Sequence, residues 1–133
     1  MKRLVSHYRL AARVLAWIGI FVIIVLSVVP ANDRPVTGVG LWLFGFWIEP
    51  SWLEHFTAFA LVAGMFSIGY SFSRIRILWL AFFFCGAIEL LQVPLPTRHA
   101  RVSDFIIDFL ASCFAIAVVF VSEKLIDTHH RDN

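Results

Sequence analysis

Residues 10–29 read LAARVLAWIGIFVIIVLSVV, an apolar run with one charge, Arg13, closed by Pro30. A helix needs about 20 mainly apolar residues to cross a hydrocarbon core roughly 30 Å thick. This run meets that length, and Arg13 near its start is placed to snorkel to the headgroups. Three further runs follow at residues 53–72, 77–93 and 103–121, the last ending just before Glu123 and Lys124. Residues 39–48 are as apolar but too short to span, and read as an interfacial or re-entrant segment of the first outer loop. A signal peptide is the competing reading of the first run, given its basic start and Ala31. The run exceeds the roughly 7–15 residue core of such a peptide, so a retained helix is expected.

The whole chain agrees. Of its 133 residues 60% are hydrophobic and 15% charged, with a mean hydropathy of +0.84. A water-soluble domain is roughly 45–50% apolar and about 25% charged, so a soluble enzyme is excluded. A formal charge of +2, with basic residues spread along the chain, gives no electrostatic footprint for nucleic acid. Cys85 and Cys113 both lie in apolar runs, where small buried packing residues are expected rather than a disulfide. The expected fold is one all-α membrane domain over residues 1–133: four transmembrane helices followed by a cytoplasmic tail, 122–133.

Orientation follows from charge asymmetry. With the N-terminus inside, Lys2, Arg3, Arg9, Arg13, Arg74, Arg76, Lys124 and Arg131 are cytoplasmic, and only Arg34, Arg98 and Arg101 are outside. Both termini are therefore expected in the cytoplasm. Trp17 and Trp79 then fall near inner helix ends, and Trp42, Trp47 and Trp52 near the outer boundary, as interfacial aromatic belts require.

Ionisable groups inside spans are costly, by roughly 2.5–3.5 kcal/mol at a helix centre, and usually face the bundle interior. Here they are Glu54 and His55 at the start of the second helix, Glu89 near the end of the third, and Asp104 and Asp108 opening the fourth. All five fall at the expected outer end, with Gln92, Arg98, His99 and Arg101 in or near the connecting loop; the inner half has no comparable set. Glu89 and Gln92 share one helix face at i, i+3, and Asp104 and Asp108 share another at i, i+4. The short loop makes the third and fourth helices antiparallel neighbours. Glu89, Arg98 and Asp104 are expected to converge, with His55 and Asp108 at the margin. Blander roles compete: Asp104 beside Ser103 as a helix-start anion, the arginines on lipid phosphates, His55 as a structural hydrogen-bonding residue.

The run from Glu89 to Ala111, ELLQVPLPTRHARVSDFIIDFLA, resembles the signature of the VanZ-like family of small bacterial membrane proteins. That pattern is E-x-x-Q closing one helix, Pro and Arg in the loop, then D-x-x-x-N-x-x-G opening the last helix. Glu89, Gln92, Pro96, Arg98 and Asp104 stand in those places, and His55 and Phe56 match an H-F at the head of an earlier helix. Asp108 stands where the family has Asn and Ala111 where it has Gly, while Ser51 and Trp52 replace an Asp-Lys pair. Ala111 and Ala115 keep a small-xxx-small seam.

The resemblance implies a four-helix protein of the bacterial inner membrane acting at the cell envelope, in a family named for low-level teicoplanin resistance. The expected ligand is an anionic lipid or lipid-linked cell-wall component. Arg98 would hold its phosphate, Glu89 and Asp104 would orient it or serve as acid and base with His55 as proton carrier, and Gln92, Asp108, Arg101 and Glu54 would complete the binding set. No metal or other cofactor is expected, since no metal-binding motif is present. The alternative is a non-enzymatic scaffold or accessory subunit whose polar residues form a structural network. A transporter is a third reading, disfavoured by the lack of a broken-helix pair or inverted repeat.

Overall fold

The computed structural model describes residues 2–29, 41–43, 46–48, 50–70, 72–96 and 101–131, with side chains over 6–29, 51–70, 72–96 and 101–128. Four helices carry the fold: α1 (Lys2–Val28), α2 (Pro50–Gly69), α3 (Arg74–Gln92) and α4 (Val102–Arg131). Each contains a window long and apolar enough to cross a membrane: Ser6–Val28, Ser51–Gly69, Arg74–Gln92 and Val102–Thr128. The chain is thus a multi-pass, four-helix membrane protein by length and composition. Between α1 and α2, β1 (Leu41–Leu43) and β2 (Phe46–Ile48) pair antiparallel with Trp42 opposite Trp47. The short apolar stretch expected there is therefore a hairpin over its described part.

Helix ends differ from the expected spans for local reasons. α1 begins at Lys2, where Lys2, Arg3 and Leu4 are good helix formers although the two basic residues are not lipid-soluble. α4 runs on to Arg131, so the stretch read as a tail is helical over most of its length. No Gly or Pro interrupts 102–131, and the Ser122 and Thr128 hydroxyls bond back to Val118 and Lys124 carbonyls of the same helix.

Contacts between named residues fix the packing. Arg13 meets Gly69 and Ile23 packs with Phe59, so α1 and α2 are antiparallel. His55 meets Asp108 and Gly64 faces Ala115, so α2 and α4 run parallel and share the most extensive contact. Glu89 meets Arg101 and Arg74 meets Glu123, so α3 and α4 are antiparallel neighbours, as their short loop requires. The Ala111–Ala115 seam lets α2 approach: Ala111 is fully buried, and a Cβ on Gly64 would lie 3.8 Å from that of Ala115.

The core is one cluster of Ile23, Phe59, Cys85, Ile88 and Ala111, and a second of Ala63, Ile77 and Ile116 further along. Cys85 is a buried free thiol and Cys113 a half-buried one, consistent with packing roles. Large apolar side chains such as Phe21, Phe83 and Leu90 point outward, as they must where lipid is the solvent.

Candidate functional site

The end where α2 and α4 begin and α3 finishes gathers the buried ionisable groups. His55, one turn into α2, places Nδ1 3.0 Å from Oδ1 of Asp108 on α4. With Nδ1 protonated, the ring donates to the carboxylate. Asp108 is fully buried, and the Ser112 hydroxyl donates to its carbonyl at 2.9 Å. The imidazole lies parallel to the Phe59 ring at a centroid distance of 6.4 Å, so the second-helix core holds it from below.

Glu89 is 9% exposed at the end of α3. Its Oε2 accepts the backbone N–H of Arg101 at 3.0 Å. The Arg101 carbonyl in turn accepts the Asp104 and Phe105 N–H groups, so Arg101 sits where α4 starts. The third helix therefore lends a carboxylate to the N-terminus of the fourth, where unpaired donors and the helix dipole favour an anion. Glu89 lies within electrostatic range of Asp104, Asp108 and His55. Two carboxylate oxygens, Glu89 Oε1 and Asp108 Oδ2, are buried with no hydrogen-bond partner among the described residues. A buried polar atom left unpaired costs roughly 1–3 kcal/mol, so both positions call for a proton or a further donor.

Of the expected constellation, Glu89, Asp104, Asp108 and His55 are described and lie at one end of the bundle, with partners that differ from those expected. His55 and Asp108, expected at the margin, form its central bond. Asp104, expected against Glu89, accepts a hydrogen bond from its neighbour, the Ser103 hydroxyl, at 3.1 Å in the first turn of α4, where the helix dipole favours an acid. Arg101 meets Glu89 through its backbone, while its side chain is exposed. Gln92 is buried one turn beyond Glu89, and Glu54 is half-buried beside His55. Arg98 and His99 lie outside the described residues. Among the described residues no group of three or more His, Cys, Asp or Glu is disposed to hold a metal ion.

The opposite end also carries a polar set, contrary to the expectation from sequence. Arg13 does not simply snorkel: its Nε donates to the Gly69 carbonyl at 2.7 Å, and its guanidinium lies 5.0 Å over the Tyr70 ring. Trp17 Nε1 donates to the Tyr70 hydroxyl at 2.8 Å, and Arg74 pairs with Glu123. These groups sit at helix ends about 50 residues apart in sequence, so no local spacing connects them.

Compared with models of known protein families, with curated proteins and with solved structures, the chain matches none.

Proposed function

We propose that the protein is a VanZ-like protein of the bacterial cell envelope, seated in the inner membrane with both termini cytoplasmic. Its His55–Asp108–Glu89 end would then lie at the outer leaflet and bind the headgroup of an anionic lipid or lipid-linked cell-wall component. One observation carries the reading: Glu89 and Asp108 each keep, among the described residues, a buried carboxylate oxygen without a partner at the same end of the bundle. A headgroup hydroxyl or ammonium group supplies the missing donors, and Arg98 and Arg101 supply the phosphate contact. Where the ligand is modified, His55 carries the proton between it and Asp108, and Glu89 or Asp104 serves as base. The link to teicoplanin resistance comes with the family resemblance.

The experiment is native mass spectrometry on protein extracted in copolymer discs with its surrounding lipid. Wild type is expected to retain an anionic lipid. Glu89→Gln and Arg98→Gln each lower that occupancy about tenfold, the effect of losing one charge-assisted hydrogen bond. Arg76→Gln, exposed at the opposite end, leaves it unchanged. Equal retention by wild type and both outer-end variants overturns the reading.

A second reading, a structural network in a scaffold or accessory subunit, is favoured by one feature: the same polar bonds tie α2 to α4 and α3 to α4. The two readings part at Glu89→Gln. The amide oxygen still accepts the Arg101 N–H, so a purely structural Glu89 predicts unchanged lipid content and stability.

Topology has its own test. Fused after Asn133, a reporter active only in the periplasm is expected to stay silent, and one active in the cytoplasm to work. The reverse pattern overturns the orientation.

A further inference from the structure

Between α1 and α3, over the face of α2, the bundle leaves an apolar cavity of about 320 Å³. Trp17, Ile20 and Ile24 form one wall and Ile77, Leu80 and Phe84 the other. That volume is at the lower end of ligand pockets, which run from about 300 to 1,000 Å³. Phe59 closes the end towards His55 and Phe66 lines the end towards Tyr70.

Depth decides which end an occupant enters from. Along α3 the lining runs from Ile77 to Phe84, starting three residues after the first residue of the helix, Arg74. At 1.5 Å per residue this spans depths of roughly 5 to 15 Å from the α3 start. One leaflet of hydrocarbon is roughly 15 Å deep, half of a core about 30 Å thick. The cavity therefore occupies the leaflet adjoining the α3 start, not the one adjoining His55.

That end is basic. Arg13 lies one turn before Trp17 on α1, its guanidinium over Tyr70, and Arg74 lies one turn before Ile77 on α3, its guanidinium on Glu123 and over the Phe120 ring. Their bonds to Gly69 and Glu123 each use one of five N–H donors. Arg9, Tyr70, Ser73, Arg74 and its partner Glu123 line a second, polar cavity of about 290 Å³ at this end, where the two arginines outnumber the one acid.

We propose that the slot between α1 and α3 holds one acyl chain of a membrane phospholipid, whose phosphate is bound by Arg13 and Arg74. An apolar tail as long as one leaflet is deep, joined to a phosphate at the arginine end, matches both the shape and the charge of the site. This lipid is distinct from the headgroup ligand at His55. It occupies the other leaflet and depends on other residues, so either proposal can fail alone.

The test reconstitutes the full chain into phosphatidylglycerol vesicles doped with the same lipid carrying a diazirine midway along one acyl chain. After illumination, adducts are mapped by peptide mass spectrometry. Ile20, Ile24, Leu80 and Phe84 are expected to label more strongly than Phe21 and Phe83, which are 66% and 65% exposed to the surrounding lipid. Leu80→Trp narrows the slot from its half-exposed wall and Ala81→Phe fills it from within; each removes slot labelling while Phe21 and Phe83 still react. The double variant Arg13→Gln/Arg74→Gln lowers slot labelling about tenfold or more. Slot residues that label no more than Phe83, or that ignore both filling variants, overturn the proposal. So does a slot shielded from label in protein that cross-links to a second copy through α1, since a partner helix would then be the occupant.

Discussion

His55→Leu is expected to unfold at a lower temperature than His55→Leu combined with Asp108→Leu. The single change strips the fully buried Asp108 of the one side-chain partner, at 3.0 Å, that its carboxylate has among the described residues, where Oδ2 has none. Breaking a buried pair from one side costs about 3 kcal/mol, whereas replacing both partners by apolar groups of similar size is often neutral. For a chain of this length 3 kcal/mol corresponds to about 10 °C in midpoint. Asp108→Leu alone costs less, because His55 is 15% exposed and keeps the edge of the bundle within reach. A double-mutant cycle in one detergent or lipid disc gives the coupling, expected at about 1–3 kcal/mol. Additive effects would show that the two side chains do not depend on each other.

The second large effect is at the other end of the bundle. A Cβ at Gly69 would lie 3.0 Å from the backbone nitrogen of Arg13 and 3.3 Å from its Cα. Backbone atoms cannot step aside as a side-chain tip can. Gly69→Ala therefore pushes α1 off α2, lengthens the Arg13–Gly69 bond and disturbs the Trp17–Tyr70 contact one turn on. Overpacking of this kind costs about 1–3 kcal/mol. Gly64→Ala is the control. Its Cβ meets Ala115 at 3.8 Å, an ordinary contact, and the helix gains up to about 1 kcal/mol of propensity. Thermal denaturation of the two variants should separate them by several degrees, Gly64→Ala being the more stable. Equal stability would mean that α1 and α2 do not approach this closely.

Both effects lie where sequence reading is weakest. The four spans are legible because hydrocarbon thickness sets a length, and the Glu89, Asp108 and His55 cluster because an ionisable group in an apolar run needs a reason. Which acid pairs with which base is not legible. Asp104 and Asp108 share a helix face, and the short loop brings α4 to α3, so Asp104 looks like the natural partner of Glu89. The choice is made by α2, which packs parallel to α4 and brings His55 to the deeper acid. Helices two and four are not consecutive, so no loop length announces that contact. The role of Arg101 was hidden for another reason. Its backbone, present in any residue but Pro, does the bonding, and side-chain identity carries no trace of it. Gly69 looks like a simple helix end in sequence and is a close-approach point in the fold.

The serines bear on how the protein is made. Ser27, Ser67, Ser112 and Ser122 each donate their hydroxyl to a carbonyl four residues back in their own helix. No hydroxyl among these four has to wait for a neighbouring helix before it enters the bilayer. The two acids differ, since their partners are on other segments. Asp108 meets a histidine synthesised 53 residues earlier and already in place. Glu89 waits only 12 residues for the Arg101 amide. Vectorial synthesis from the N-terminus thus presents each acid to the translocon with its partner inserted or about to emerge. A circular permutant that brought α4 in before α2 would leave Asp108 stranded during biogenesis, and degradation of newly made chains would be the sign of it.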